Sequence, residues 1–171
     1  FVGFHKNQST SDFVTDSGAG ATAFSIGEKT HNSAIGVDQF DVPKPTILEI
    51  AKQHKKATGL VVSCSIEHAT PAAFISHQPQ RSMFDEIAED IAKSKIDMFI
   101  GGGRKYFYDR KDKKNLLDTL SKNGFQVANG LNAIQNIHEG KLAGFIAEEE
   151  PVRVTLGRGD QLLQSTNKAL E

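Results

Sequence analysis

A serine flanked by an aspartate, and followed by residues with almost no side chains, is the part of this chain best equipped for chemistry. The stretch VTDSGAGATA runs from Val14 to Ala23. Phe13 and Val14 are β-compatible and lead into Asp16-Ser17. Gly18, Ala19, Gly20 and Ala21 follow, and then Thr22, Ala23 and Phe24 in a helix-tolerant composition. The pattern predicts a strand running into a turn, with Ser17 on the first turn of a helix. The first N–H groups of a helix lack intrahelical partners and carry the positive end of its dipole, so they suit an anion. Small neighbours let a phosphate-sized group come close to the backbone. A serine so placed can attack phosphorus or a carbonyl carbon once the pKa of its hydroxyl is lowered. The same residues also make an ordinary helix start, because Asp-Ser is a common N-cap pair and a Gly/Ala run suits close packing of a helix on a sheet. On residue types alone both readings stand.

The elements that would position Ser17 follow from hydrophobic periodicity. FVGFH at the start reads as a short strand. GEKTHNSAIGVD reads as an irregular loop over the surface. A helix begins at Lys44-Pro45-Thr46, with Pro45 near its first turn and Ile47, Leu48, Ile50 and Ala51 on its apolar face. Gly59–Ser65 (GLVVSCS) is continuously apolar in the manner of a strand buried on both faces. It runs into Glu67-His68-Ala69-Thr70-Pro71. Phe84, Ile87, Ala88, Ile91 and Ala92 mark an amphipathic helix, and Asp97–Ile100 a second buried strand that ends in Gly101-Gly102-Gly103.

Strand, helix and strand at this spacing predict a right-handed βαβ unit. Further on, a helix at Leu116–Leu120, a strand at Phe125–Ala128, a short helix around Ile134 and Ile137 and a strand over Leu142–Ala147 continue the alternation. Glu148-Glu149-Glu150 reads as a solvated acidic turn. The fold class is therefore α/β with a mainly parallel sheet flanked by helices. In such sheets ligands sit at the carboxyl ends of strands; Ser17, Thr70 and the triple glycine all follow predicted strands and so converge on one edge.

The 171 residues are 38% hydrophobic and 24% charged, ordinary for one globular domain. A net charge of −1 gives no basic footprint for nucleic acid, and no apolar run is long enough to span a membrane. Cys64, the single cysteine, lies in an apolar run and reads as an inert thiol. His5, His31, His54, His77 and His138 are scattered, with none paired at ligand spacing on one element. There is no Gly-x-Ser-x-Gly elbow, which disfavours an acyl-transfer serine hydrolase.

Several stretches together resemble one family. VTDSGAGAT fits the active-site signature of the alkaline phosphatases, and AFSIGEKTHNSAIGVD, PTILEIAK, HATPAAF and IGGGRKYF follow in that family's order, over roughly residues 1–125. The resemblance implies an incomplete alkaline-phosphatase-like fold that hydrolyses phosphate monoesters with zinc and magnesium. Ser17 matches the zinc-bound nucleophile that becomes a phosphoserine, and Arg81 the arginine that grips two phosphate oxygens. Thr70 matches a magnesium ligand, His68 a position in the outer shell of that magnesium, and Asp16 a residue that orients the site.

The resemblance also implies a homodimer, acting in the periplasm or outside the cell. Residues 1–171 are expected to be one partial domain of a longer protein, because most of the family's zinc ligands lie downstream of the matched region. The chain alone is then expected to turn over little. The competing expectation is a non-catalytic oxyanion-binding or structural module of the same fold.

Overall fold

The computed structural model describes residues 2–3 and 6–171, so the strand expected over Phe1–His5 falls largely outside the described residues. Four strands, β1 (Gly59–Ser65), β2 (Met98–Gly102), β3 (Phe125–Asn129) and β4 (Lys141–Phe145), form one sheet in the order β1-β2-β4-β3. Every pairing is parallel. Seven α-helices accompany them: α1 (Ser17–Ile26), α2 (Ile47–Gln53), α3 (Ala69–Ala72), α4 (Phe84–Lys93), α5 (Leu116–Lys122), α6 (Leu131–Gln135) and α7 (Gln161–Leu170).

The alternation of side chains along the strands builds two apolar layers. Phe99, Phe125, Ala143 and Phe145 face Ile87, Ala88, Ile91 and Ala92 of α4 and Leu116 and Leu120 of α5. Phe145 meets Phe99 and Phe107 edge-on, with ring centroids 5.4 Å and 4.9 Å apart, an arrangement favoured by the ring quadrupoles. On the opposite face Ile100, Ala128 and Leu142 pack with Ile134 of α6. The parallel α/β architecture is as the sequence predicts.

Local readings differ at several places. β1 has one neighbour among the described strands, so Gly59 and Ser63 are exposed and only part of the strand is covered; continuous apolarity there is not two-sided burial. β2 does not stop at Ile100: Gly101 and Gly102 belong to it and pair with β4 and β1. Thr46, not Pro45, opens α2. Its hydroxyl accepts the Glu49 N–H while the Glu49 carboxylate accepts the Thr46 N–H, a capping box. Pro45 stands just outside. Ile47 and Ile50 are exposed, and Leu48 is the residue of that helix that packs on the core.

The entry to the sheet is held by Asp97. Its carboxylate accepts the Thr58 N–H at 2.9 Å, the Thr58 hydroxyl at 3.2 Å and the Lys52 ammonium from α2. Burial pushes its pKa up, but these hydrogen bonds and the Lys52 charge together outweigh burial and hold it below the ordinary aspartate value. A lowered folded-state pKa gives stability that is complete above the unfolded value and is lost as pH falls through the folded one. Asp97→Ala is expected to destabilise the fold by about 1–3 kcal/mol at neutral pH, and the gap to wild type should shrink as the pH is lowered through the carboxylate range. Urea denaturation at a series of pH values measures both.

Candidate functional site

Ser17 is the first residue of α1, and Asp16 caps that helix: its backbone is extended and its Oδ1 accepts the Ala19 N–H at 2.9 Å. The N–H groups of Ser17 and Gly18 precede the first helical hydrogen bond and point out of the helix end. The strand expected at Phe13-Val14 does not form. Asp12 Oδ1 accepts the Val14 N–H at 2.8 Å in a tight side-chain turn, and Asn32 takes the neighbouring backbone, accepting from the Asp16 N–H at 3.1 Å and donating to the Val14 carbonyl at 3.0 Å. Phe13 and Val14 are left exposed.

The small residues after Ser17 serve packing. Gly18, Ala19, Ala21, Thr22 and Ser25 are buried, and a Cβ on Gly18 would come within 3.0 Å of the Ala34 carbonyl oxygen. Thr22, fully buried, donates its hydroxyl to the Ala34 carbonyl at 3.1 Å and accepts the Gly36 N–H at 3.0 Å. The loop after α1 is thus not the surface excursion that its polar sequence predicts. Thr30, Ala34, Ile35, Val37 and Asp38 are buried in it, because it lies against α1 on one side and pairs with the segment after α3 on the other.

That second pairing brings Arg81 to Ser17. Ile35 and Gln78 exchange both backbone hydrogen bonds at 2.9 Å, and the Arg81 N–H reaches the Ser33 carbonyl at 2.7 Å. Ser33 holds a left-handed backbone, φ 75°, to make the turn. The Arg81 Nη1 then donates to Ser17 Oγ at 2.6 Å and to Asp16 Oδ2 at 3.2 Å. Partial burial raises the Asp16 pKa, but the N–H groups of Ala19 and Ser33 and the Arg81 guanidinium outweigh it and lower the carboxyl below its usual value. Asp16 therefore stays ionised and acceptor-only, and holds the guanidinium against the serine.

His68 and Thr70 lie at the start of α3, where β1 ends, and α3 packs against α1. Among the described residues no hydrogen bond or ion pair joins them to the Ser17–Asp16–Arg81 group. His68 Nε2 instead faces Glu150 Oε1 at 3.4 Å, and Glu150 Oε2 accepts the Ser65 N–H at 3.1 Å. The acidic turn is not simply solvated. Its backbone accepts from Gly103 and Lys105, the Arg104 N–H reaches the Ala147 carbonyl just before it, Glu148 pairs with Arg104 and Tyr108, and Glu149 with Lys105.

Glu67, which the sequence offered no reason to single out, is fully buried: desolvation pushes its pKa up to about 8, the Ser65 hydroxyl donates to one oxygen, and the other, Oε1, has no partner. Burial likewise pushes the Cys64 thiol up to about 11, which keeps it protonated and unreactive at neutral pH. Among the described residues no three His, Cys, Asp or Glu side chains come together as a metal site.

A capped serine at a helix start, with an arginine on its hydroxyl and a carboxylate behind both, accompanies a parallel sheet flanked by helices, and the fold is that of an α/β protein. More specifically, the chain belongs to the alkaline phosphatase family, whose sequence profile matches residues 1–163. It is 42% identical over 141 residues to alkaline phosphatase 3 of Bacillus subtilis, a match covering 79% of this chain and 30% of that protein.

To the alkaline phosphatase of Escherichia coli it is 33% identical over 178 residues, covering 87% of this chain and 38% of that protein. Its structure is similar to that of alkaline phosphatase from the Antarctic bacterium TAB5, with a TM-score of 0.93 and 42% identity over 96% of this chain and 49% of that one. A histidine-to-aspartate mutant of the same enzyme, with a TM-score of 0.89 and 40% identity, has magnesium bound in its M3 site. The chain thus spans less than half of the length of these relatives.

Gly103 is a close-approach position in this cluster. Its φ is 93°, and a Cβ there would fall inside the Glu67 carboxylate and 2.6 Å from Ser65 Oγ. Gly103→Ala combines backbone strain with overpacking and is expected to destabilise by about 3 kcal/mol or more. Denaturant titration of the variant checks this; a loss under about 1 kcal/mol would mean the cluster gives way easily.

Proposed function

We propose that this chain is the segment of an alkaline phosphatase that carries its nucleophile, and that the complete domain hydrolyses phosphate monoesters through a phosphoserine at Ser17. The observation that carries this reading is the 2.6 Å hydrogen bond from Arg81 Nη1 to Ser17 Oγ, with Asp16 behind both. It sets a cationic fork beside a hydroxyl at the positive end of a helix. A tetrahedral phosphoryl group meeting Ser17 there is met by the first-turn N–H groups and by the guanidinium, whose planar donors match two phosphate oxygens. Ser17 Oγ forms a bond to phosphorus while the ester P–O bond breaks, and the alcohol leaves with a proton. Water then attacks the phosphoserine, the P–Oγ bond breaks, and inorganic phosphate and the serine hydroxyl are released. In both steps the spreading negative charge lies against Arg81.

Zinc and magnesium belong to the same reading. Zinc at Ser17 would lower the pKa of its hydroxyl, and magnesium would take hard oxygen donors such as Thr70, with His68 in its outer shell. On this reading Ser17 belongs to the one site and Thr70 to the other, and among the described residues no three His, Cys, Asp or Glu side chains come together to complete either. The remaining ligands come, on this account, from the rest of the domain, and the 171-residue chain alone turns over little or nothing. Phosphate monoesters and inorganic phosphate are the small-molecule partners, a homodimer the working assembly, and the periplasm or the extracellular space the location. No helix is long and apolar enough to cross a membrane among the described residues.

Turnover of p-nitrophenyl phosphate with added zinc and magnesium tests the proposal, on the full-length protein and on this chain. Ser17→Ala is expected to abolish the full-length activity, and Arg81→Ala to lower kcat/KM by about 10²-fold or more. Reversible phosphate binding with no turnover by the full-length protein would favour a non-catalytic oxyanion-binding module. Ser17-dependent turnover by the 171-residue chain would overturn the claim that further ligands are needed.

A further inference from the structure

Arg81 is only partly buried, with 32% of its side chain exposed. Water therefore competes for its guanidinium, and the place of that group depends on how firmly its backbone is held. The segment leading to it, Ser76 to Gln78, is gathered on one oxygen. Asp90 Oδ2 accepts the Ser76 hydroxyl at 2.7 Å, the His77 N–H at 3.1 Å and the Gln78 side-chain amide at 2.8 Å.

Asp90 stands on α4, where Ile87, Ala88, Ile91 and Ala92 are fully buried against the sheet. Its carboxylate is thus carried by a helix whose other face is buried on the sheet. Among the described residues it has no ion-pair partner, so its charge is met by these three dipoles. The same segment is fitted to the loop after α1. Gly36, at φ 61°, leaves no room for a Cβ beside the Ser76 carbonyl, and His77 Nδ1–H donates to the Gly36 carbonyl at 2.7 Å. Gln78 and Ile35 exchange backbone bonds, and Arg81 N–H closes on Ser33.

From these contacts we infer that Asp90 is a positioning residue for Arg81: it pins residues 76–78 to α4, and through the Gln78–Ile35 and Arg81–Ser33 bonds it sets the distance between the guanidinium and Ser17. It touches neither Ser17 nor the anion. The inference rests on the reading of Arg81 as the phosphate-gripping group. Ala at this position removes the acceptor, so all three bonds are lost; Asn would not remove them, because its amide oxygen can take the place of Oδ2 and its NH2 that of Oδ1. A shift of the arginine by a fraction of an ångström to one ångström is enough to lower anion affinity substantially.

The test is inhibition of the full-length enzyme by inorganic phosphate, with p-nitrophenyl phosphate as substrate, in a double-mutant cycle of Asp90→Ala and Arg81→Ala. The expected result is a rise of about tenfold in the phosphate inhibition constant for Asp90→Ala alone, and no further rise when it is added to Arg81→Ala. Ser76→Ala removes one of the three bonds and leaves the carboxylate in place. It should give a smaller rise that also vanishes in the Arg81→Ala background, and it serves where Asp90→Ala does not fold. An unchanged inhibition constant, or the same rise with and without Arg81, overturns the positioning role. If Arg81→Ala weakens phosphate and Asp90→Ala does not, this inference alone fails. If Arg81→Ala itself leaves phosphate inhibition unchanged, the reading of Arg81 fails and takes this inference with it.

Discussion

The hydrogen bond between Arg81 and Ser17 joins two residues that come from opposite sides of a buried loop, and the arrangement of the site depends on that loop. Residues 32–36 are held from below by α1 and from the side by the segment after α3. Thr22 satisfies the Ala34 carbonyl and the Gly36 N–H, Asn32 fixes the backbone at Asp16, and Ser33 and Ile35 receive Arg81 and Gln78. Each of these is a buried or half-buried polar contact, for which a missing partner costs more than the bond gains. The loop therefore has little freedom to move Ser17 and Arg81 apart.

This explains the composition around Ser17 in a way that joins the two readings its residue types allow. The run Gly18 to Ala21 is small because α1 lies on the loop, with Ala34 in contact at Gly18. The same closeness lets Asp16 cap the helix and hold Arg81 with its two oxygens. Packing and the Arg81–Asp16–Ser17 contacts are carried by one set of residues. Helix capping alone would need neither the arginine nor its 2.6 Å contact with the serine.

Much of the scaffold was legible in the chain. The helix from Ser17, the amphipathic α4 and the parallel sheet follow from periodicity and caps, which are local. What was not legible depends on partners far away in sequence. GEKTHNSAIGVD has the polarity of a surface loop, and only the bridge from Ile35 to Gln78 shows why its centre is buried. The acids at 148–150 look like a solvated run until Arg104, Lys105 and the Ser65 N–H are brought to them. Ile47 and Ile50 look like core by spacing but are exposed. Asp90 and Glu67 carry no motif, and their importance lies in what folds around them. In the site itself, Ser17 and Asp16 had a physical signal in the sequence, whereas Arg81, His68 and Thr70 were reached through resemblance. The structure brings Arg81 to the serine and leaves His68 with Glu150.

The central claim is that Ser17 is the group on which the phosphoryl transfer occurs. Its most direct test is to mix the full-length protein with a phosphate monoester, quench in acid and locate any covalent phosphate by peptide mass spectrometry. The account predicts one phosphoryl group on the peptide containing Ser17, and none in the Ser17→Ala protein. Turnover of the ester with the phosphoryl group on another residue, or undiminished turnover by Ser17→Ala, would contradict it.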